Sequence, residues 1–188
     1  MDILDNVKGE LIPYDDPLLT SPQEDWKFDE YPEEEAAKLG LLLIETSKKL
    51  TGAGLSANQI GLPYKCFALT PEENMDLPNM AIFNMEILES SEDTTTMTEG
   101  CLSRPNLWLM VTRPRVIKVK YFTFKGEELK TTLNGYISRV FQHEYDHMIG
   151  IDFTQRVSKM KLDRAITKMK KDAKKGRTTQ VIRGTFNQ

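Results

Sequence analysis

The only two histidines of this 188-residue chain, His143 and His147, stand four positions apart with Glu144 between them. Around them Ile137, Val140, Phe141 and Met148 follow three- and four-residue steps, which predicts a helix over residues 136–149. At about 100° per residue, positions four apart lie about 40° from each other, so both imidazoles leave one face of that helix. Such a pair can grip one divalent metal ion. Glu144, one step round, can reach a water held at an open coordination position. Two histidines placed at random in a chain of this length fall four apart about one time in a hundred, so the spacing carries information.

A catalytic ion needs a third protein ligand, and with no histidine left it must be cysteine, aspartate or glutamate. Cys101 lies in a turn-rich stretch, Thr98-Glu99-Gly100-Cys101-Leu102-Ser103-Arg104-Pro105. Cys66, flanked by strand formers, reads as an inert core thiol. An ordinary H-E-x-x-H peptidase would instead take a downstream carboxylate, for which Asp152, Asp163 and Asp172 are the candidates. A glycine-rich segment, Gly52-Ala53-Gly54-Leu55-Ser56-Ala57-Asn58-Gln59-Ile60-Gly61, lacks the Gly-Lys-Ser/Thr ending of a phosphate loop.

The rest of the chain sets the frame for that helix. With 39% hydrophobic and 28% charged residues it suits a single globular domain, expected over residues 1–175, with a polar tail over 176–188. No apolar run approaches the roughly 18 residues of a membrane span, so no membrane partner is expected. Two cysteines make no disulfide scaffold. The opening has neither a basic and apolar leader nor an arginine before Arg104, so a reducing cytoplasm is the expected location. Residues 1–31 read as extended chain, residues 32–50 as a helix with Pro32 in its first turn and Leu39, Leu43 and Leu50 facing the core. Strands follow at 65–70, 80–88, 95–99, 108–112, 116–124 and 128–133, with a hairpin at Lys125-Gly126. A last helix over 158–175 carries Leu162, Ala165, Ile166, Met169 and Ala173 on one stripe. Helix, antiparallel strands, then helices make an α+β fold, with the strands packed around the H-E-x-x-H helix.

Three segments in this order resemble the peptide deformylase family. Gly52–Gly61 matches its motif G-x-G-L-A-A-x-Q-x-G, except that Ser56 stands where alanine is usual. Glu99–Ser103 matches E-G-C-L-S, and Gln142–His147 matches Q-H-E-x-D-H, both without change. The resemblance implies a hydrolase that removes the formyl group from the N-terminal formylmethionine of nascent polypeptides, releasing formate. It implies Cys101, His143 and His147 as metal ligands, with iron(II) (Fe2+) the physiological ion and zinc (Zn2+) or nickel (Ni2+) able to replace it. Metal-bound hydroxide would attack the formyl carbon, with Glu144 as general acid/base and Gln59 and the Leu102 backbone N–H as oxyanion donors. Gly54 and Gly100 would border the substrate, and Gly52 and Gly54 would adopt unusual backbone angles. Val140 and Arg139 stand where the family lines its methionine pocket. The Arg139 stem would pack on the thioether while its guanidinium reaches solvent.

Charge is distributed unevenly. Residues 1–35 carry 2 basic and 12 acidic side chains (2 − 12 = −10), and residues 156–188 carry 11 basic and 2 acidic ones (11 − 2 = +9). Either the last helix is a solvated cationic face, or it meets an RNA-rich particle such as the ribosome, from which the substrate emerges.

Overall fold

The computed structural model describes residues 4, 7–72, 75 and 77–176, so all but the first residue of the expected polar tail lies outside the described residues. Helix α1 (Glu33–Lys49) has Glu33, Glu34 and Glu35 at its positive end and Lys48 and Lys49 at its negative end. Pro32 is its cap, one position earlier than expected. Leu39 and Leu43 are fully buried. Leu50 is only half-buried, because it lies beyond the last turn as the C-cap and no longer follows the helical face. The acidic opening is not uniformly extended. The Asp16 carboxylate accepts the Leu18 N–H at 2.9 Å and starts a single 3-10 turn over Pro17–Thr20.

Five strands form an antiparallel sheet: β1 (Gly54–Ser56), β2 (Cys66–Leu69), β3 (Met80–Ser90), β6 (Val116–Phe122) and β7 (Glu128–Asn134), in the order β1-β2-β3-β6-β7. Strand β1 went unpredicted, since three residues are too few to display a period. Gly126, at φ +76°, turns the β6–β7 hairpin as the sequence suggests. Strands β4 (Thr94–Cys101) and β5 (Arg104–Pro114) form a separate two-stranded hairpin. Both run further than their apolar patterning indicates, as cross-strand pairs such as Thr96–Thr112 extend the ladder on a polar face.

Helix α2 (Gly135–Met148) lies between the sheet and the hairpin. On one side Phe141 and Met148 pack with Phe67, Ile82, Met85 and Val119 of the sheet. A second cluster under α1 gathers around Trp26, Leu39, Leu43, Leu55 and Phe83. Helix α3 (Lys159–Lys174) docks Leu162, Ala165, Ile166 and Met169 on Leu107, Leu109, Val111 and Phe153. Ala173, expected on that stripe, is exposed, because the cluster it would join ends one turn earlier. Antiparallel strands around the H-E-x-x-H helix, flanked by a helix on either end of the chain, are the α+β arrangement expected.

Candidate metal centre

The two imidazoles point from α2 toward the tip of the β4–β5 hairpin. There the strand register breaks, from Glu99 opposite Leu109 to Cys101 opposite Arg104. The Trp108 ring lies against the Gly100 Cα so closely that any side chain at 100 would collide with it. Gly100 is therefore fixed by packing, and the bulge re-aims Cys101 at the helix. The Cys101 sulfur and one nitrogen each of His143 and His147 lie within 4.8 Å of one another, the one such cluster of three candidate ligands among the described residues. The His147 Nε2 is 3.2 Å from the Cys101 Sγ. Burial alone would raise the Cys101 thiol, but the charge of His147 and hydrogen bonds from both histidines outweigh it and bring it down to about 6. The partnership is mutual: burial would lower both histidines, yet Cys101 pushes both up. One sulfur and two imidazole nitrogens, converging with the sulfur poised as thiolate, fit a divalent metal ion.

Behind these groups sits Glu99, fully enclosed. Its Oε2 accepts the His143 Nδ1–H at 3.0 Å, which turns the Nε2 of that ring toward the centre. Arg113 grips both oxygens, at 2.7 and 2.9 Å, and donates a further bond to Asp146 at 2.7 Å. Arg156 also pairs with Asp146. Burial would raise the Glu99 carboxyl, but the bonds from Arg113 and His143 hold it far below the usual carboxylate range. Glu99 stands within the Glu99–Ser103 motif, yet residue type and spacing alone assign it no role. Strand alternation offered no signal for it, because the bulge between Glu99 and Cys101 breaks the period that relates their faces. Asp146 is buried in this network and lies outside the ligand cluster.

The remaining candidates divide. The Gln59 Oε1 accepts the Ser56 backbone N–H at 2.9 Å, which leaves its amide N–H2 to point at the Cys101 sulfur (3.4 Å) and the Ser103 hydroxyl (3.0 Å). Leu102 occupies the hairpin turn beside Cys101. Gly52 and Gly54 do not have the unusual angles expected of them. Gly54 is needed because a Cβ there would lie 2.6 Å from the Glu144 Oε1. Val140 is buried on the sheet side of α2. The Arg139 guanidinium does not reach solvent, and that expectation is corrected. Its Nη1 donates to Glu99 (2.7 Å) and the Val111 carbonyl (2.9 Å), and its Nη2 to the Thr95 carbonyl (2.7 Å). The charge of Glu99 and the two hairpin carbonyls that accept from the guanidinium draw it inward. Among the peptidase-type alternatives, Asp152 is engaged by Arg104 at 2.8 Å and by the Thr154 N–H, and lies outside the ligand cluster. Cys66 is fully buried, and burial pushes its thiol up, as an inert core cysteine requires.

Residues 9–163 match the profile of the family described as polypeptide deformylase. A peptide deformylase of Bartonella henselae is 34% identical over 154 residues, covering 81% of this chain and 88% of its own. One of Thermotoga petrophila is 40% identical over 121 residues, covering 63% and 70%. Among solved structures, the peptide deformylase of Thermotoga maritima superposes with a TM-score of 0.71 at 36% identity, over 79% of this chain and 97% of that one. The peptide deformylase 1B of Arabidopsis thaliana does so with 0.74 at 28%, over 92% and 98%.

Proposed function

The chain belongs to the polypeptide deformylase family, enzymes that remove the formyl group from N-formylmethionine peptides, and we propose that it does so by metal-dependent hydrolysis with Glu144 as general acid/base. The observation that carries this reading is the convergence of Cys101, His143 and His147 within 4.8 Å, with Glu144 beside His143 on the same helix. Bound by these three residues, a divalent ion would supply Lewis-acid activation of water at neutral pH. Iron(II) is the ion that the resemblance favours, and zinc or nickel suits the same donors.

The chain's own groups do the rest. Glu144 accepts the proton of the attacking water and returns it to the departing amine, one carboxylate acting as base and then acid. The C–N bond breaks, formate leaves and the methionine amine is freed. As negative charge develops on the formyl oxygen, the Gln59 amide and the Leu102 N–H donate to it, each worth roughly 3–4 kcal/mol by analogy with other oxyanion holes. Glu99 keeps His143 in the tautomer and orientation a ligand needs. Gly54 and Gly100, which let backbone lie against the Glu144 carboxylate and the Trp108 ring, would border the peptide.

The test is formate release from formyl-Met-Ala-Ser, with casein as the unformylated control. Formate release from the tripeptide with casein left intact supports deformylation. Cleavage of casein without formate release would overturn it in favour of a peptidase. Cys101→Ala should abolish metal binding and turnover together, and retained metal would remove Cys101 from the ligand set.

Docking on the ribosome is the partner reading. All eight basic residues of the last helix and its cap, Lys159, Lys161, Arg164, Lys168, Lys170, Lys171, Lys174 and Lys175, are exposed. Asp172 approaches Lys168 at 3.3 Å. No helix among the described residues is long and apolar enough to cross a membrane. Co-sedimentation with ribosomes at low and moderate salt tests this contact. Because α3 covers part of the core, the comparison should use Lys→Gln changes at 168, 170 and 171 rather than a truncation. Binding through phosphates weakens steeply with salt and with each lost cation. Equal sedimentation of both forms would leave α3 a solvated face.

A further inference from the structure

Ser56 is 1% exposed and meets two of the groups assigned to chemistry above. It caps the short 3-10 turn Ala57–Ile60 with a reciprocal pair of bonds. Its hydroxyl oxygen accepts the Gln59 backbone N–H, and its own backbone N–H donates to the Gln59 Oε1 at 2.9 Å. A hydroxyl has one proton to give, and it faces the Glu144 carboxylate, with Oε2 at 2.8 Å against 3.4 Å for the Glu144 carbonyl. Among the described residues no other side chain donates to that carboxylate. Gly54 closes in on the other oxygen, as a Cβ there would lie 2.6 Å from Oε1. One carboxylate oxygen is thus tied by a hydroxyl, and the other is confined by backbone and has no hydrogen-bond partner among the described residues.

We propose that Ser56 is a positioning residue that fixes the Glu144 carboxylate and the Gln59 amide relative to each other. Glutamate has three side-chain torsions, and burial beside a metal centre does not by itself select one arrangement of them. The Ser56 hydroxyl selects the arrangement in which Oε2 is occupied and Oε1 is free to exchange a proton. The same residue holds the Gln59 oxygen back, so the amide N–H2 faces the centre. Proton carrier and oxyanion donor therefore share one anchor, which lies on β1, across from the helix that supplies the histidines.

This proposal rests on Glu144 being the acid/base, so the experiment separates the two. Four metal-loaded proteins are compared with formyl-Met-Ala-Ser: the native chain, Ser56→Ala, Glu144→Gln and the double variant. Ser56→Ala should keep its metal content and KM and lose about 10-fold in kcat, a fraction of what the acid/base itself contributes. In the Glu144→Gln background the same change should alter kcat by less than about 2-fold, since no proton carrier remains to be aligned. A second cycle reads thermal midpoints of the metal-free forms, with Glu144→Leu as the partner change. Loss of the cap is common to both backgrounds, so Ser56→Ala should lower the midpoint more when Glu144 is present than when it is leucine. An unchanged kcat in Ser56→Ala, or additive midpoints, would overturn the proposal while leaving the acid/base reading intact. Lost metal or a raised KM in Ser56→Ala would make Ser56 a structural residue instead. Near-normal turnover in Glu144→Gln would overturn the acid/base reading itself.

Discussion

Helices α2 and α3 look alike as patterns of apolar residues at helical spacing, yet they end in opposite surroundings. Helix α2 has ten buried residues, including the charged or titratable Arg139, His143, Glu144, Asp146 and His147. Helix α3 has none, and its apolar stripe is only half covered by β5 and Phe153. The periodicity reports which face turns inward. It says nothing about whether the opposite face is also covered, because that depends on elements far away in sequence. Charges on α2 are enclosed and must be matched one for one, whereas those on α3 keep their water. Substitutions on the two helices should therefore differ in kind as well as in size.

The largest effect is expected on α2. Glu144→Gln keeps the shape and removes the proton acceptor, so kcat should fall by at least about 10²-fold with metal still bound, as formate release and metal analysis would show. Arg139→Leu comes next. It leaves Glu99 short of a cation and two hairpin carbonyls without their donor, and breaking a buried pair costs about 3–5 kcal/mol. Thermal unfolding should show Tm lower by about 10 °C. A normal Tm with a changed KM for formyl-Met peptides would return Arg139 to the substrate pocket.

On α3 the matching change is smaller. Met169→Ala removes a half-buried contact with the hairpin cluster and should lower Tm by a few degrees, about 1–2 kcal/mol, without touching kcat. An equal loss on both helices would erase the contrast between them. The smallest effect lies at the joint between the helices, where Asp152 accepts from Arg104 and Thr154. Burial opposes the shift, but those bonds hold its carboxyl below its ordinary value of 3.8. A folded value below the unfolded one stabilises above that ordinary value, and the gain is lost as pH falls through the lower folded value. Asp152→Asn should therefore cost about 1 kcal/mol near neutral pH and nothing in strong acid, as urea unfolding at both conditions would reveal.

The contrast also explains what could be read in advance. The candidate ligands His143 and His147 were legible because imidazole is rare in this chain and the i, i+4 spacing has a direct geometric meaning, and Cys101 because its motif matches the family's. Leu39, Leu43, Phe141 and Met148 were legible because helical period converts to a face. Arg139 was misread, since a long cation on a helix ordinarily snorkels to water. Only the hairpin carbonyls and Glu99 make the inward path favourable. Strand β1 and the 3-10 turn after it carry Gly54, Ser56 and Gln59, and they are too short to announce themselves by pattern.

The sequence by itself determined the family, the histidine pair and the helix that displays it, because these depend on residue type and on spacing within one segment; Cys101 is identified as their partner only through the family motif. The tertiary structure alone decided that Glu99 orients His143, that Arg139 turns inward and that Ser56 holds Glu144. Each of those is a hydrogen bond between elements 40 to 88 residues apart, set by where the hairpin, β1 and α2 come to rest against one another.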